Sequence, residues 1–120
     1  MILLTGAYAW LEGLLETAGA GRVTGDIRNV SPNCVLISPP TIRSINGRIA
    51  ELDFPVSVLS APPASEQSVV EMLGRADQIL ALTPLLVVDG KPETYVVGQQ
   101  ELPAYTLTCR FTYAADPEGD

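Results

Sequence analysis

Three stretches of the chain carry a clear hydrophobic period, and they set the expected architecture. Across residues 4–18, Leu4, Ala7, Leu11, Leu14, Leu15 and Ala18 recur at spacings of three and four while Glu12 and Glu16 lie elsewhere, the pattern of an amphipathic helix. Gly19 and Gly21 end it, and Gly6 and Gly13 inside it each cost about 1 kcal/mol relative to alanine, so this helix depends on tertiary contacts. Across residues 50–58, Ala50, Leu52, Phe54, Val56 and Val58 alternate with Glu51, Asp53, Pro55 and Ser57, which makes a half-buried strand. Pro55 suggests that this strand lies at an edge or contains a bulge. Tyr105, Leu107, Cys109, Phe111 and Tyr113 alternate in the same way with Thr106, Thr108, Arg110 and Thr112, giving a second strand with a polar outer face.

The segments between these three are shorter. Residues 19–31 lack periodicity and read as a loop with a short extended piece around residues 22–27. Residues 33–38 form an apolar strand, and Pro39-Pro40 bends the chain because proline cannot continue a ladder. Asn46-Gly47 supplies the residue pair favoured in tight hairpins. After Ser60-Ala61-Pro62-Pro63, either Ser65 or Ser68 can cap a helix, and Ser68 with Glu71 fits the S-x-x-E capping box. That helix, residues 66–82, carries the stripe Val69, Met72, Leu73, Ala76, Ile79 and Leu80 and stops at Thr83-Pro84. Residues 85–88 and 94–97, on either side of Asp89-Gly90-Lys91-Pro92, read as a second hairpin. The order helix, strands, helix, strands predicts an α+β fold, a mainly antiparallel sheet with two helices packed on one face. Residues 1–120 form one domain, and 115–120 are a frayed acidic tail.

Composition narrows the functional classes. A chain of 120 residues with 47% hydrophobic and 18% charged residues has enough apolar surface for one core without disulfides or metals. Asp and Glu outnumber Lys and Arg by 14 to 7, a net charge of -7, and Lys91 is the single lysine. This is the wrong sign for capturing nucleic acid, although a negative wall can let a duplex slide past. The N-terminus lacks the basic region of a signal peptide, and no apolar run approaches the ~20 residues that span a bilayer. The absence of histidine removes the commonest general base and metal ligand.

The remaining chemical candidates are few. Cys34 and Cys109 sit in strand-like runs without CxxC spacing and read as buried free thiols, with a disulfide open if the strands are adjacent. The run from Gly19 to Gly25 is glycine-rich but follows a helix, where a phosphate-binding fingerprint follows a strand. Glu51 and Asp53 share one polar strand face and could serve as an acid-base or metal pair, but no third ligand is spaced nearby, and a solvated or interface-facing strand is the stronger reading. Arg22, Arg28, Arg43 and Arg48 lie in the first half, with Arg43 and Arg48 flanking the Asn46-Gly47 turn, and read either as ordinary solubilising charges or as a surface that could dock onto an acidic neighbour. Hairpin loops project from a sheet, so Asn46-Gly47 and Asp89-Gly90-Lys91 are interface candidates. The face bearing Glu51 and Asp53 is another. Trp10 reads either as a helix-packing residue or as an interface anchor.

Several phrases of the sequence, taken together, resemble a known family. They are Ala9-Trp10-Leu11 in the first helix, Leu52-Asp53-Phe54-Pro55-Val56-Ser57-Val58, the Pro-Pro break into the second helix, and Leu102-Pro103-Ala104-Tyr105-Thr106-Leu107-Thr108-Cys109. Their order is similar to that of tail terminator proteins of long-tailed bacteriophages (siphoviruses), particularly those infecting actinobacteria. The resemblance implies a non-enzymatic virion protein of the tail or neck, assembled in the host cytoplasm and without cofactor or metal. It implies a hexameric ring, six copies of 12.8 kDa or about 77 kDa, that caps the tail tube and ends its elongation. Its partners would be the tail tube protein and a head-tail connector or stopper protein, with DNA passing through the lumen without specific binding and no membrane contact. The alternatives are another neck or tail component, such as a head-completion or tail tube protein, or a small ligand-binding α+β domain with a pocket between sheet and helices.

Overall fold

The computed structural model describes residues 3–19, 21–61, 65–82 and 85–115. Helix α1 spans Leu4–Ala18, strand β1 Arg22–Thr24, a short 3-10 turn Ile27–Asn29, β2 Cys34–Ile37, β3 Thr41–Asn46, β4 Ile49–Leu59, α2 Glu66–Leu80, β5 Leu86–Val97 and β6 Gln100–Ala114. The architecture is α+β, with two helices and one mixed sheet of six strands. The strands follow the order β1-β2-β4-β6-β5, and β3 also pairs with β4. The β1–β2 pair is parallel, so the extended piece after the first helix is a sheet strand and not part of a loop. The other pairs are antiparallel.

The two alternating strands are the spine of this sheet. In β4 and β6 they pair over eleven positions, from Ile49 opposite Ala114 to Leu59 opposite Ala104. Their apolar faces point the same way: Leu52 lies opposite Phe111, Phe54 opposite Cys109 and Val56 opposite Leu107. Ala7, Leu11 and Leu15 of α1 and Met72, Ala76 and Ile79 of α2 join these residues in one buried core. Phe54 and Phe111 stack with centroids 5.6 Å apart and planes within 6° of parallel. Only part of the expected α2 stripe is buried. Leu73 and Leu80 remain 41% and 50% exposed, because the helix turns a narrower face to the sheet than its apolar residues cover.

The opposite face of the sheet holds a smaller apolar cluster of Val30, Cys34, Leu36, Leu59, Leu102 and Ala104. Cys34 therefore lies in this cluster and Cys109 in the main core, with β4 between their strands. Both thiols are free and buried. Half-buried Arg75 of α2 donates to the Leu59 carbonyl at 2.6 Å and so ties the helix to the end of β4.

Several sequence expectations are corrected by this arrangement. Pro55 lies in a central strand, not at an edge. Its carbonyl accepts from Ser38 N–H at 2.9 Å, which places its missing N–H on the same side, where Pro39-Pro40 already interrupts the run from β2 into β3. The α2 N-cap is Ser65, whose side chain accepts from Ser68 N–H at 3.2 Å, so Ser68 and Glu71 do not form the expected capping box. Ala115 is buried, and its N–H bonds to the Arg48 carbonyl at 2.7 Å, so the expected tail does not begin there. The expected stop at Thr83-Pro84, the Pro62-Pro63 part of the break before α2 and residues 116–120 lie outside the described residues.

The largest correction concerns the second hairpin. Asp89-Gly90-Lys91-Pro92 is not a turn but part of the continuous edge strand β5, which pairs with β6 from Leu86 opposite Arg110 to Val97 opposite Gln100. The ladder outweighs the turn composition, and a bulge between Val87 and Asp89 absorbs the irregularity. Gly90 serves close approach: a Cβ there would meet Leu107 and Tyr105 at 3.2 Å. Proline at an edge strand leaves no internal donor unmade when its nitrogen faces outward.

Candidate assembly surfaces

Two hairpin loops mark the ends of the long strand pair. In the first, Asn46 pairs with Ile49, so the two-residue loop is Gly47-Arg48 and Asn46 is the last residue of β3. In the second, Val97 pairs with Gln100, so the loop is Gly98-Gln99. Both loops place glycine first, with φ 63° at Gly47 and 65° at Gly98, the arrangement in which a left-handed first residue matches the twist of the flanking strands. One loop adjoins the last residues of β6 and the other its first residue. At about 3.3 Å per residue, β6 with its 15 residues accounts for the 47 Å long axis of the molecule, and the loops sit at its two ends.

The first hairpin gathers six of the expected interface residues: Arg43, Asn46, Gly47, Arg48, Glu51 and Asp53. Asp53 lies directly opposite Arg110, and the guanidinium forms a two-pronged contact, Nε to Oδ1 at 2.7 Å and Nη2 to Oδ2 at 3.1 Å. Arg43, displaced outward at a bulge between Ile42 and Ser44, approaches Glu51 at 3.7 Å and Asp53 at 3.8 Å. The hydrogen bonds from Arg110 hold the Asp53 carboxyl below its usual range, against the opposing effect of partial burial. Glu51 and Asp53 are therefore ion-pair partners on a sheet face. The lowered Asp53 carboxyl is held away from the near-neutral range that a proton-transferring carboxyl needs. Among the described residues no cluster of three or more acidic or thiol groups is placed to hold a metal ion.

Asp89 and Lys91 lie exposed along β5 together with Gly90, distant from the first hairpin and not at a tip. Trp10 packs on Phe111 with centroids 4.7 Å apart, the helix-packing role considered for it, and remains 36% exposed. Sequence reasoning missed the Gly98-Gln99 tip, although Tyr95-Val96-Val97 followed by Gly98 is a strand run ending in a turn residue. It also missed the exposed apolar residues on the two edge strands. Ile42 and Ile45 of β3 are 46% and 56% exposed, and Leu86, Val88 and Val96 of β5 are 58%, 40% and 68% exposed.

A polar chain crosses the face opposite the helices. Thr106 Oγ1 donates to the Glu93 carboxylate, and Ser57 Oγ lies 2.8 Å from both Thr106 Oγ1 and the Tyr95 hydroxyl. Since each hydroxyl has one proton, Tyr95 donates to Ser57, Ser57 to Thr106 and Thr106 to Glu93. The chain locks β4, β6 and β5 together. No helix among the described residues is long and apolar enough to cross a membrane. Scanned against protein-family models the chain matches none, and no curated protein matches it.

Proposed function

We propose that the chain is the tail terminator subunit of a long-tailed bacteriophage: a structural protein that caps the tail tube as a hexameric ring, ends elongation and offers a joining surface to the head-side connector. The observation that carries this reading is the placement of the two glycine-first loops at opposite ends of one long strand pair, with apolar sheet edges between them. A ring that joins two other assemblies needs an axial contact at each end of every subunit and lateral contacts on its flanks. The Gly47-Arg48 and Gly98-Gln99 loops supply the first, and β3 and β5 the second. The net charge of -7 accords with a lumen through which DNA slides without being held.

Negative-stain imaging of purified tail tubes mixed with the purified chain tests the reading. The expected result is a ring of added density at one end of each tube, together with overlong tubes when tails assemble without the chain. Decoration along the tube wall, or binding only to head particles, would replace the reading with one of the neighbouring structural roles, and no binding at all would remove it.

A further inference from the structure

We infer that the two edges of the sheet are complementary, and that β5 of one copy adds as an antiparallel strand to β3 of the next copy, head to tail. The inference deepens the ring reading above, on which it rests, by naming the lateral contact. Strand direction carries the first part. Because β3 is antiparallel to β4, β4 to β6 and β6 to β5, β3 runs opposite to β5. β1 is parallel to β2, which is antiparallel to β4, so it too runs opposite to β5. A neighbour related by rotation about an axis along the strands preserves these directions, and the two unlike edges meet as an antiparallel pair.

The side chains on the edges agree with that pairing. Leu86 and Val88 at the start of β5 and Ile42 and Ile45 of β3 stand exposed, an arrangement that edge strands of isolated domains usually avoid. Each strand carries a bulge, at Val87/Asp89 and at Ile42/Ser44, the device that bends a sheet edge. Thr41 and Leu86 lie at one height, opposite Asp53 and Arg110, which face each other. From that height β3 runs toward the Ile49 end of β4, whereas β5 runs toward its Leu59 end and beyond, so the pairing requires neighbouring copies to be staggered by a few residues, as strands tilted around a closed ring are.

Charge then selects the partner edge. β1, β3 and the Gly47-Arg48 loop carry Arg22, Arg43 and Arg48 and no acidic residue, whereas β5 carries Asp89 and Glu93 against Lys91. Asp53 is already held by Arg110 at 2.7 Å, which leaves Arg43 at 3.8 Å as the outer and looser partner, available to a carboxylate on a neighbour. A twofold pairing centred on the exposed start of β5 would bring two copies of Asp89 together, and one centred on β3 two copies of Arg43. Like charges oppose both arrangements.

Sedimentation velocity on two charge-reversed chains tests the inference, with circular dichroism confirming that each folds. One chain carries Asp89→Arg and the other Arg43→Glu with Arg48→Glu. The expected result is that the wild type self-associates, that each variant alone loses affinity by about tenfold or more, and that an equimolar mixture of the two regains it. Wild type that stays monomeric at several hundred micromolar, two variants that each associate like wild type, a mixture that associates no better than its components, or loss in the Asp89→Arg chain alone would each overturn it. Oligomers that form as expected yet never bind tail tubes would overturn the tail reading and leave this one standing; rings on tubes that survive both charge reversals would do the reverse.

Discussion

Phe54 shows how a single side chain holds the molecule together. It is fully buried, stacks on Phe111 and lies beneath both helices in the main core. Phe54→Ala should lower unfolding free energy by about 3–5 kcal/mol through lost transfer energy and the cavity left behind, read from urea denaturation; a loss below about 1 kcal/mol would mean that the core closes over the gap. Asp53 adds a pH dependence whose sign follows from its depressed folded-state pKa. A depressed carboxyl contributes stability above its unfolded pKa of about 3.9, and that contribution is lost as pH falls through the folded value. Urea midpoints measured from pH 7 downward should therefore drop in acid for the wild type, and the drop should be smaller for Asp53→Asn; parallel curves would contradict the ion-pair assignment. The thiols give a third residue-level expectation. Burial pushes Cys109 up to about 12, and Cys34 is fully buried as well. Neither should react with a thiol reagent in the folded protein, and both should react in denaturant.

At the level of elements, the helices and the strand spine were legible because their periods are long and clean. The first helix has the expected bounds, Leu4–Ala18, and the alternation in β4 and β6 correctly identified the buried face. The caps and turns were less legible, since they depend on which of several adjacent candidates wins. Ser65 and Ser68 both suit an N-cap, and Ser65 takes the position; Ser65→Ala should cost about 1 kcal/mol in thermal unfolding, whereas Ser68→Ala should retain that cap. Asp89-Gly90 has turn composition, but the long β5–β6 ladder overrides it. That ladder joins residues whose pairing no local pattern reveals. β1 was legible only as a short extended piece within a loop for a similar reason: its three residues are too few to show a period, and only β2 beside them makes a strand. Of the candidate surface, the residues of the first hairpin were found together, while the second tip was placed about eight residues early in the chain, within what proves to be a strand.

At the scale of the whole molecule, staggered pairing explains both shape and proposed role. β3 extends the sheet at one end of β4 and β6, and β5 extends it at the other, so the sheet is long and offset, with a loop at each extremity. Helices cover one face, and ion pairs and the hydroxyl chain occupy much of the other. Among the described residues the loops and the edges stand open to contact with other molecules, as does the outer side of α2 with its exposed Val70, Leu73 and Leu80; the proposed ring uses the loops and the edges. The most direct test of this account is to attach a gold or fluorescent label at Arg48→Cys or at Gln99→Cys and locate it by electron microscopy in assembled tails, the two native thiols being buried. The account predicts that one label decorates the tube-side face of the terminal ring and the other the head-side face. Both labels on one face, or neither at the ring, would contradict it.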